Sequence, residues 1–305
     1  MDRWAIDPEP LLVTTLRIGP RDPRLFDEVL DWLRENGRLI SVQRLVNLTR
    51  GMPEERQMAD AALAWAGAHA PTLHAWHRRD PGEPKGLMEV GQVRVAEADP
   101  VLEENGVRWP LVRPSRKSAS PDLALRSGLC FRFRYLLGVG ARAEVVRFLW
   151  SSREGGGSTA RRIAESSGFA KRNVQEVLNS LGELDTLIVE PRGNEYVYGL
   201  RPAGWADVLG IPIDEARDRG TYFLDWIALS RVLARTVAFV DQAATTEPSD
   251  YLLSSRGRDL VGSISDELLR LGIEVPRIDK GDGEAFLLAL DSMLESILRL
   301  IADDI

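Results

Sequence analysis

Lys171, Arg172, Asn173 and Gln175 stand together in "FAKRNVQEVLNSL", where Val174, Val177, Leu178 and Leu181 recur at helical spacing. No Ser-His-Asp set can be assembled around these cationic and amide side chains by spacing. They can donate and accept hydrogen bonds at base edges and phosphates. Arg161 and Arg162 precede this stretch and Arg192 follows it, so further phosphate-binding groups flank the same segment. The chemistry implied is recognition of a polyanion, with Lys171, Arg172, Gln175 and, less centrally, Asn173 and Asn179 as base-reading candidates. Arg161, Arg162 and Arg192 are the phosphate-contact candidates.

Other chemistry fails on spacing. The one cysteine, Cys130, lies in an apolar run and reads as a buried small hydrophobe, which excludes an intramolecular disulfide and fits a reducing, cytoplasmic setting. His69, His74 and His77 are the only histidines; without a carboxylate or thiolate pattern beside them they read as surface or helix-end residues rather than a metal site. Gly155-Gly156-Gly157-Ser158-Thr159 lacks the lysine and spacing of a phosphate cradle, and "GVGARAEV" lacks the dinucleotide fingerprint. No catalytic constellation, metal or cofactor is expected. Neither a charged-then-apolar leader nor an apolar run of about 18 residues occurs, so neither export nor membrane spanning is expected.

Charge is unevenly distributed over the 305 residues. The chain carries −7 overall, but residues 203–305 hold 10 basic against 19 acidic side chains, a local −9. Between Arg142 and Gln175 seven basic residues face three acidic ones, a patch of +4. Arginine supplies 35 of the 39 basic residues, so a compositional bias accounts for part of that excess.

The elements that must position these groups follow from periodicity and punctuation. Asp22-Pro23 caps a helix that runs to Gly37; Ser41 to Leu48 and Pro53 to Ala68 read as two more, while Leu11 to Leu16 fits helix or strand. From His69 to Pro121 prolines interrupt any long helix, and "VRPSRKSASP" has the look of a basic linker or arm. Leu123 to Leu137 forms an apolar helix. Ala143 to Trp150 is another, followed by a helix capped by Ser158 and running through Ser166. After the Gly168 turn a third helix spans about Ala170 to Leu184, and two β-rich runs, Leu187 to Val189 and Tyr196 to Tyr198, form a hairpin with Arg192 at its tip. The acidic C-terminal part holds long helices with apolar stripes at Tyr222, Trp226, Leu229, Leu233 and Val240, and at Leu287, Leu290, Leu294, Ile297 and Ile301. A shorter helix, Arg258 to Leu271, lies between them.

Three helices followed by a two-stranded hairpin resembles the winged helix-turn-helix family of DNA-binding domains, over about 60 residues. Within it Ala164, Gly168 and Val174 have the spacing of the family's turn signature, with Ile163 and Val177 at the accompanying apolar positions. Ala170 departs from the Ser or Thr cap that often opens the second helix of such motifs, forfeiting roughly 0.5 to 2 kcal/mol. The resemblance implies a mainly α fold with a small β-hairpin wing, a central winged helix at 121–202, and helical domains at 1–120 and 203–305. It implies a transcriptional regulator that binds double-stranded DNA sequence-specifically, as a homodimer because one copy makes few phosphate contacts. The acidic C-terminal domain suits oligomerisation or sensing, with room for a protein partner or small effector. The competing expectation is a protein-interaction module, antitoxin-like or an adaptor, that uses the same fold as scaffold.

Overall fold

The computed structural model describes residues 4–19, 22–70, 85–86, 97–115, 117–151, 157–211, 223–277 and 283–302. It is mainly helical, with a small three-stranded antiparallel sheet. Among the described residues no helix is long and apolar enough to cross a membrane.

The N-terminal part packs α1 (Pro8–Ile18), α2 (Pro23–Asn36), α3 (Val42–Leu48) and α4 (Pro53–His69) around Leu16, Phe26, Leu30, Leu33, Ala61 and Trp65. Asp22 caps α2 by accepting from the Arg24 and Leu25 amides, and Ser41 caps α3 through the Arg44 amide. The Leu11–Leu16 ambiguity resolves as helix, since Pro8 and Pro10 sit in the first turn of α1, where a missing N–H costs nothing. Two-residue strands β1 (Lys85–Gly86) and β2 (Val107–Arg108) pair in parallel, with α5 (Pro100–Glu104) just before β2. The stretch Val112–Pro121 is no free arm. The Ser115 amide donates to Asp31 at 3.0 Å and the Asn36 amide side chain to the Ala119 carbonyl at 3.0 Å, strapping the segment onto α2.

The central core joins α6 (Leu129–Leu137), α7 (Ala141–Ser151), α8 (Ala160–Ser167), α9 (Lys171–Glu183) and the sheet of β3 (Ser158–Thr159), β4 (Leu187–Arg192) and β5 (Glu195–Leu200). The helix expected from Leu123 begins only at Leu129. A local turn, in which Asp122 accepts from the Ala124 amide, and a 3-10 turn at Arg126–Gly128 occupy the preceding residues. The strand order is β3-β5-β4, with Ser158 opposite Tyr198 and Leu187 opposite Leu200. Ser158 is therefore a ladder residue, and Thr159 is the cap of α8, its hydroxyl accepting from the Arg162 amide at 3.2 Å. The hairpin strands extend to Arg192 and Glu195, leaving Gly193-Asn194 as the connection; Gly193 has φ +61 at the position where a type II′ turn needs it.

After α10 (Pro202–Leu209) the chain forms α11 (Trp226–Thr246), α12 (Asp250–Leu271) and α13 (Gly283–Ala302), packed around Val232, Leu260, Val261, Ile264, Leu268, Phe286, Leu290, Met293 and Ile297. Gly257 is the close-approach point. A Cβ there would stand 2.8 Å from Leu290 and 3.0 Å from Phe286. The α11 stripe differs from the four-three reading: Ile227, Ala228, Leu229 and Val232 are buried, whereas Val240 is exposed and Tyr222 lies outside the described residues. The N-terminal half of α11 is sandwiched between α1 and the rest of the C-terminal part, so its inward face is wider than a two-helix seam.

Candidate nucleic-acid interface

Position of the polar front of α9 depends on the turn before it. Gly168 ends α8 in the left-handed region, φ +73, and donates to the Ala164 carbonyl at 3.0 Å. Phe169 then turns inward and is buried with Ile163, Val174, Leu178 and Leu181, which fixes the crossing of α8 and α9. With the buried stripe of α9 so defined, Lys171, Arg172 and Asn173 are left exposed in its first turn. Ala170 makes no side-chain cap, as its composition requires.

Each candidate has a measurable surrounding. Arg172 is exposed and pairs with Glu176 at 3.1 Å one turn on. Gln175 donates to Asn179 at 3.0 Å and to the Tyr198 hydroxyl of β5 at 3.2 Å, tying α9 to the sheet. Arg161 is exposed and pairs with Glu165 at 3.0 Å; that hydrogen bond, with Glu165's charge, raises its pKa, and Glu195 and Asp266 of α12 add to the effect. Arg192 lies exposed at the last position of β4, beside the hairpin turn. The arrangement thus gathers Lys171, Arg172 and Asn173 on one exposed turn with Arg161 and Arg192 on flanking elements.

Arg162 is placed otherwise. It is partly buried, and its guanidinium donates to Ser166 and, at 3.0 Å, to Asp225, the cap of α11. Burial alone would raise the Asp225 pKa. Arg270, the Ala228 amide, Ser166 and Arg162 outweigh it and hold the carboxyl below the usual value. Arg162 therefore braces α8 against α11. Arg147 and Glu144 are both buried and face inward, so they leave the sequence patch as a neutral pair.

Those two belong to a feature that sequence spacing did not reveal. Arg44 of α3, Arg134 of α6 and Arg147 of α7 meet Asp7, Glu9 and Glu144 in a fully buried, formally neutral cluster. Arg134 forks onto Glu9 at 2.6 and 2.7 Å and reaches Glu144 at 2.7 Å. Arg147 donates to Glu144 at 2.9 Å and to Asp7 at 3.0 Å. Arg44 reaches Asp7 at 2.6 Å and Glu9 at 2.7 Å. Burial would raise the Glu9 and Glu144 pKa values, but the facing arginines hold both carboxyls below their usual values. The partners are separated by up to 140 positions, so no local pattern announces the cluster. The one available signal was charged residues at core positions of helical stripes.

The same arginine braces the turn. Arg44 Nε donates to the Ser167 carbonyl at 2.6 Å, and Asn47, one helical turn later on α3, donates to the Gly168 carbonyl at 3.1 Å. These carbonyls would otherwise be unpaired at the C-terminus of α8. Asp7, Cys130 and Glu144 place donor atoms within 4.8 Å of one another, but three guanidiniums beside them oppose a cation. Burial pushes the Cys130 thiol far above its ordinary range, so it is no nucleophile. His69 ends α4 stacked on Trp65 at 4.2 Å; His74 and His77 lie outside the described residues. No family model, curated protein or solved structure matches this chain.

Proposed function

We propose that α7, β3, α8, α9 and the β4–β5 hairpin form a winged helix and that the chain is a cytoplasmic regulator binding double-stranded DNA sequence-specifically. The observation that carries this reading is the exposed leading turn of α9, where Lys171, Arg172 and Asn173 stand clear of the core on a helix pair braced from behind. An α-helix fits the major groove, and side chains of its first turns reach base edges there. Lys171, Arg172 and Asn173 take the base-reading role and Gln175 orients against Tyr198; Arg161 and Arg192 take phosphates, while Arg162 holds α8 in place. The exposed pairs Arg172–Glu176 and Arg161–Glu165 contribute little in water, so an incoming phosphate or guanine displaces them at small cost. A homodimer bridging two half-sites supplies the phosphate contacts that one copy lacks.

The deciding experiment is salt-titrated binding to the DNA upstream of the chain's own gene, beside random duplex of equal length. A preference for the native duplex together with a steep salt slope supports the reading, and a specificity ratio near one removes it.

One observation favours a second reading, a protein-binding scaffold of antitoxin or adaptor type. Leu184, Ile188, Val189 and Tyr196, on and beside the hairpin, are apolar and exposed. Stoichiometric co-purification of a partner, with no salt-sensitive duplex binding, distinguishes that reading.

A further inference from the structure

Between α1 and the N-terminal half of α11 lies a cavity of about 450 Å³, walled by Ile18, Leu25, Trp226, Leu229 and Leu233, with Leu300 and Ile301 of α13 closing one side. Among the described residues no charged side chain lines it. Its hydroxyls are already engaged: Thr14 hydrogen-bonds to the Pro10 carbonyl at 2.9 Å and to Ser230 at 2.8 Å, and Thr15 donates to the Leu11 carbonyl at 2.8 Å. Leu11 and Ile18 are both partly exposed on the cavity's rim, which gives a guest a way in.

These facts restrict the occupant. The described wall offers no charge to compensate a buried carboxylate, phosphate or ammonium, so desolvation disfavours a charged guest there. Water gains little where the Thr14 and Thr15 hydroxyls and the Trp226 indole N–H are already hydrogen-bonded to protein, and an apolar cavity as small as about 150 Å³ stays dry and takes up benzene-like guests. The volume here is within the range of sites that bury drug-sized ligands, roughly 300–1,000 Å³.

The wall is also joined to the helix pair behind α9. Trp226 lines the cavity, and its indole N–H donates to the Ala5 carbonyl at 2.8 Å. The residue before it, Asp225, accepts from Ser166 of α8 at 2.8 Å and from Arg162 at 3.0 Å. A guest that moves the start of α11 therefore acts directly on the last turn of α8.

We propose that this cavity is a binding site for a neutral, predominantly hydrocarbon small molecule, and that its occupancy is transmitted to α8 through Trp226 and Asp225. The site stands apart from the DNA-binding reading, because neither readout below involves nucleic acid.

The test uses the full chain and the neutral fluorophore N-phenyl-1-naphthylamine. Saturable emission enhancement is expected, with the anionic anilinonaphthalene sulfonate bound at least about tenfold more weakly. Thr15→Phe, whose hydroxyl bonds only within its own helix, fills the cavity and weakens the neutral probe at least about tenfold while the thermal midpoint holds; Ser230→Leu is the second filling variant should the first not fold. Probe saturation alters amide hydrogen exchange of residues 160–167 severalfold. Absence of saturable binding, equal binding of the anionic probe, or unchanged affinity in a folded filling variant overturns the site. Unchanged exchange in α8 at saturation overturns the transmission.

Discussion

Arg44 Nε and the Ser167 carbonyl oxygen lie 2.6 Å apart across 123 positions of sequence. Through this bond a helix of the N-terminal part completes the C-terminus of α8, and the same guanidinium is held by Asp7 and Glu9. The N-terminal part thereby sets the angle at which α8 hands the chain to α9. Buried ion pairs seldom add net stability over apolar packing of equal volume. What the cluster adds is geometry, since forked guanidiniums accept few arrangements of three carboxylates.

Arg44→Met leaves Asp7 and Glu9 short of a partner in a dry environment. Removing one member of a buried ion pair costs about 3–5 kcal/mol, whatever the net worth of the intact pair. Urea unfolding should show a loss of that size. Arg44→Lys should recover only a fraction, because an ammonium cannot fork onto two carboxylates and also reach the Ser167 carbonyl. A loss below about 1 kcal/mol for Arg44→Met would show that water reaches the cluster.

Gly168→Ala combines two strains. The residue must keep φ +73, and its new Cβ would stand 3.1 Å from Arg44 Nε and 3.2 Å from Ile227 Cδ1. The left-handed conformation alone costs a non-glycine residue roughly 1–2 kcal/mol. The expected total exceeds that figure in chemical denaturation, with the proton resonances of Phe169 and Ile227 displaced. Gly193→Ala has the same kind of positive φ but nothing within 4 Å of the new Cβ, so it should cost only the conformational part.

Acid should unfold the protein through named groups. Glu9, Glu144 and Asp225 all have folded pKa values below their usual ones, because facing arginines outweigh the burial that would raise them. An acid whose pKa is depressed by folding contributes stability above its unfolded value and loses it as pH falls through the folded value. The urea midpoint should therefore be flat near neutrality and drop steeply from about pH 5 downward. In Asp225→Asn the acid slope should be shallower. An unchanged slope would place the titrating groups elsewhere.

The Cys130 thiol is fully buried, 3.6 Å from a Glu144 carboxyl oxygen, and burial drives its pKa far up. A disulfide reagent reacts with thiolate only. Labelling of the native protein should proceed at the rate of global opening and accelerate in parallel with unfolding as urea is added. Rapid stoichiometric labelling without urea would contradict the packing of α6 on α7.

What the sequence made legible was local. Asp22-Pro23, Ser41 and the apolar stripe of α9 each signal an element through neighbours within four residues, and each element forms as read. Strand β3 was not legible, since two residues have no periodicity and Ser158 is as good a cap as Thr159 until Tyr198 pairs with it. The exposed positions of Lys171, Arg172 and Asn173 followed from the stripe of α9. The engagement of Arg162 did not, because its partner Asp225 is 63 positions away. The ionic cluster was hidden for the same reason, and it draws Arg147 and Glu144 together out of the basic stretch between Arg142 and Gln175.

The α9 assignments make the sharpest claim on function. Arg172 and Arg192 are both exposed, yet they differ in what they would touch: one lies at the front of a helix with a core-facing stripe, the other at a hairpin end. A base-reading arginine contributes discrimination, so Arg172→Ala should lose about 1–3 kcal/mol on the preferred duplex and relax specificity at one position. A phosphate-binding arginine contributes uniformly, so Arg192→Ala should weaken every duplex alike and lower the salt slope by about one. Glu176→Gln separates this from a mere charge effect. It frees Arg172 from its 3.1 Å partner and removes a negative charge from the same face, so it should tighten non-specific binding and steepen the salt dependence. If Arg172→Ala and Arg192→Ala behave identically on preferred and random duplexes, α9 does not lie in a major groove. If neither alters binding, the exposed turn faces another protein, and the apolar hairpin surface at Ile188, Val189 and Tyr196 becomes the place to look for it.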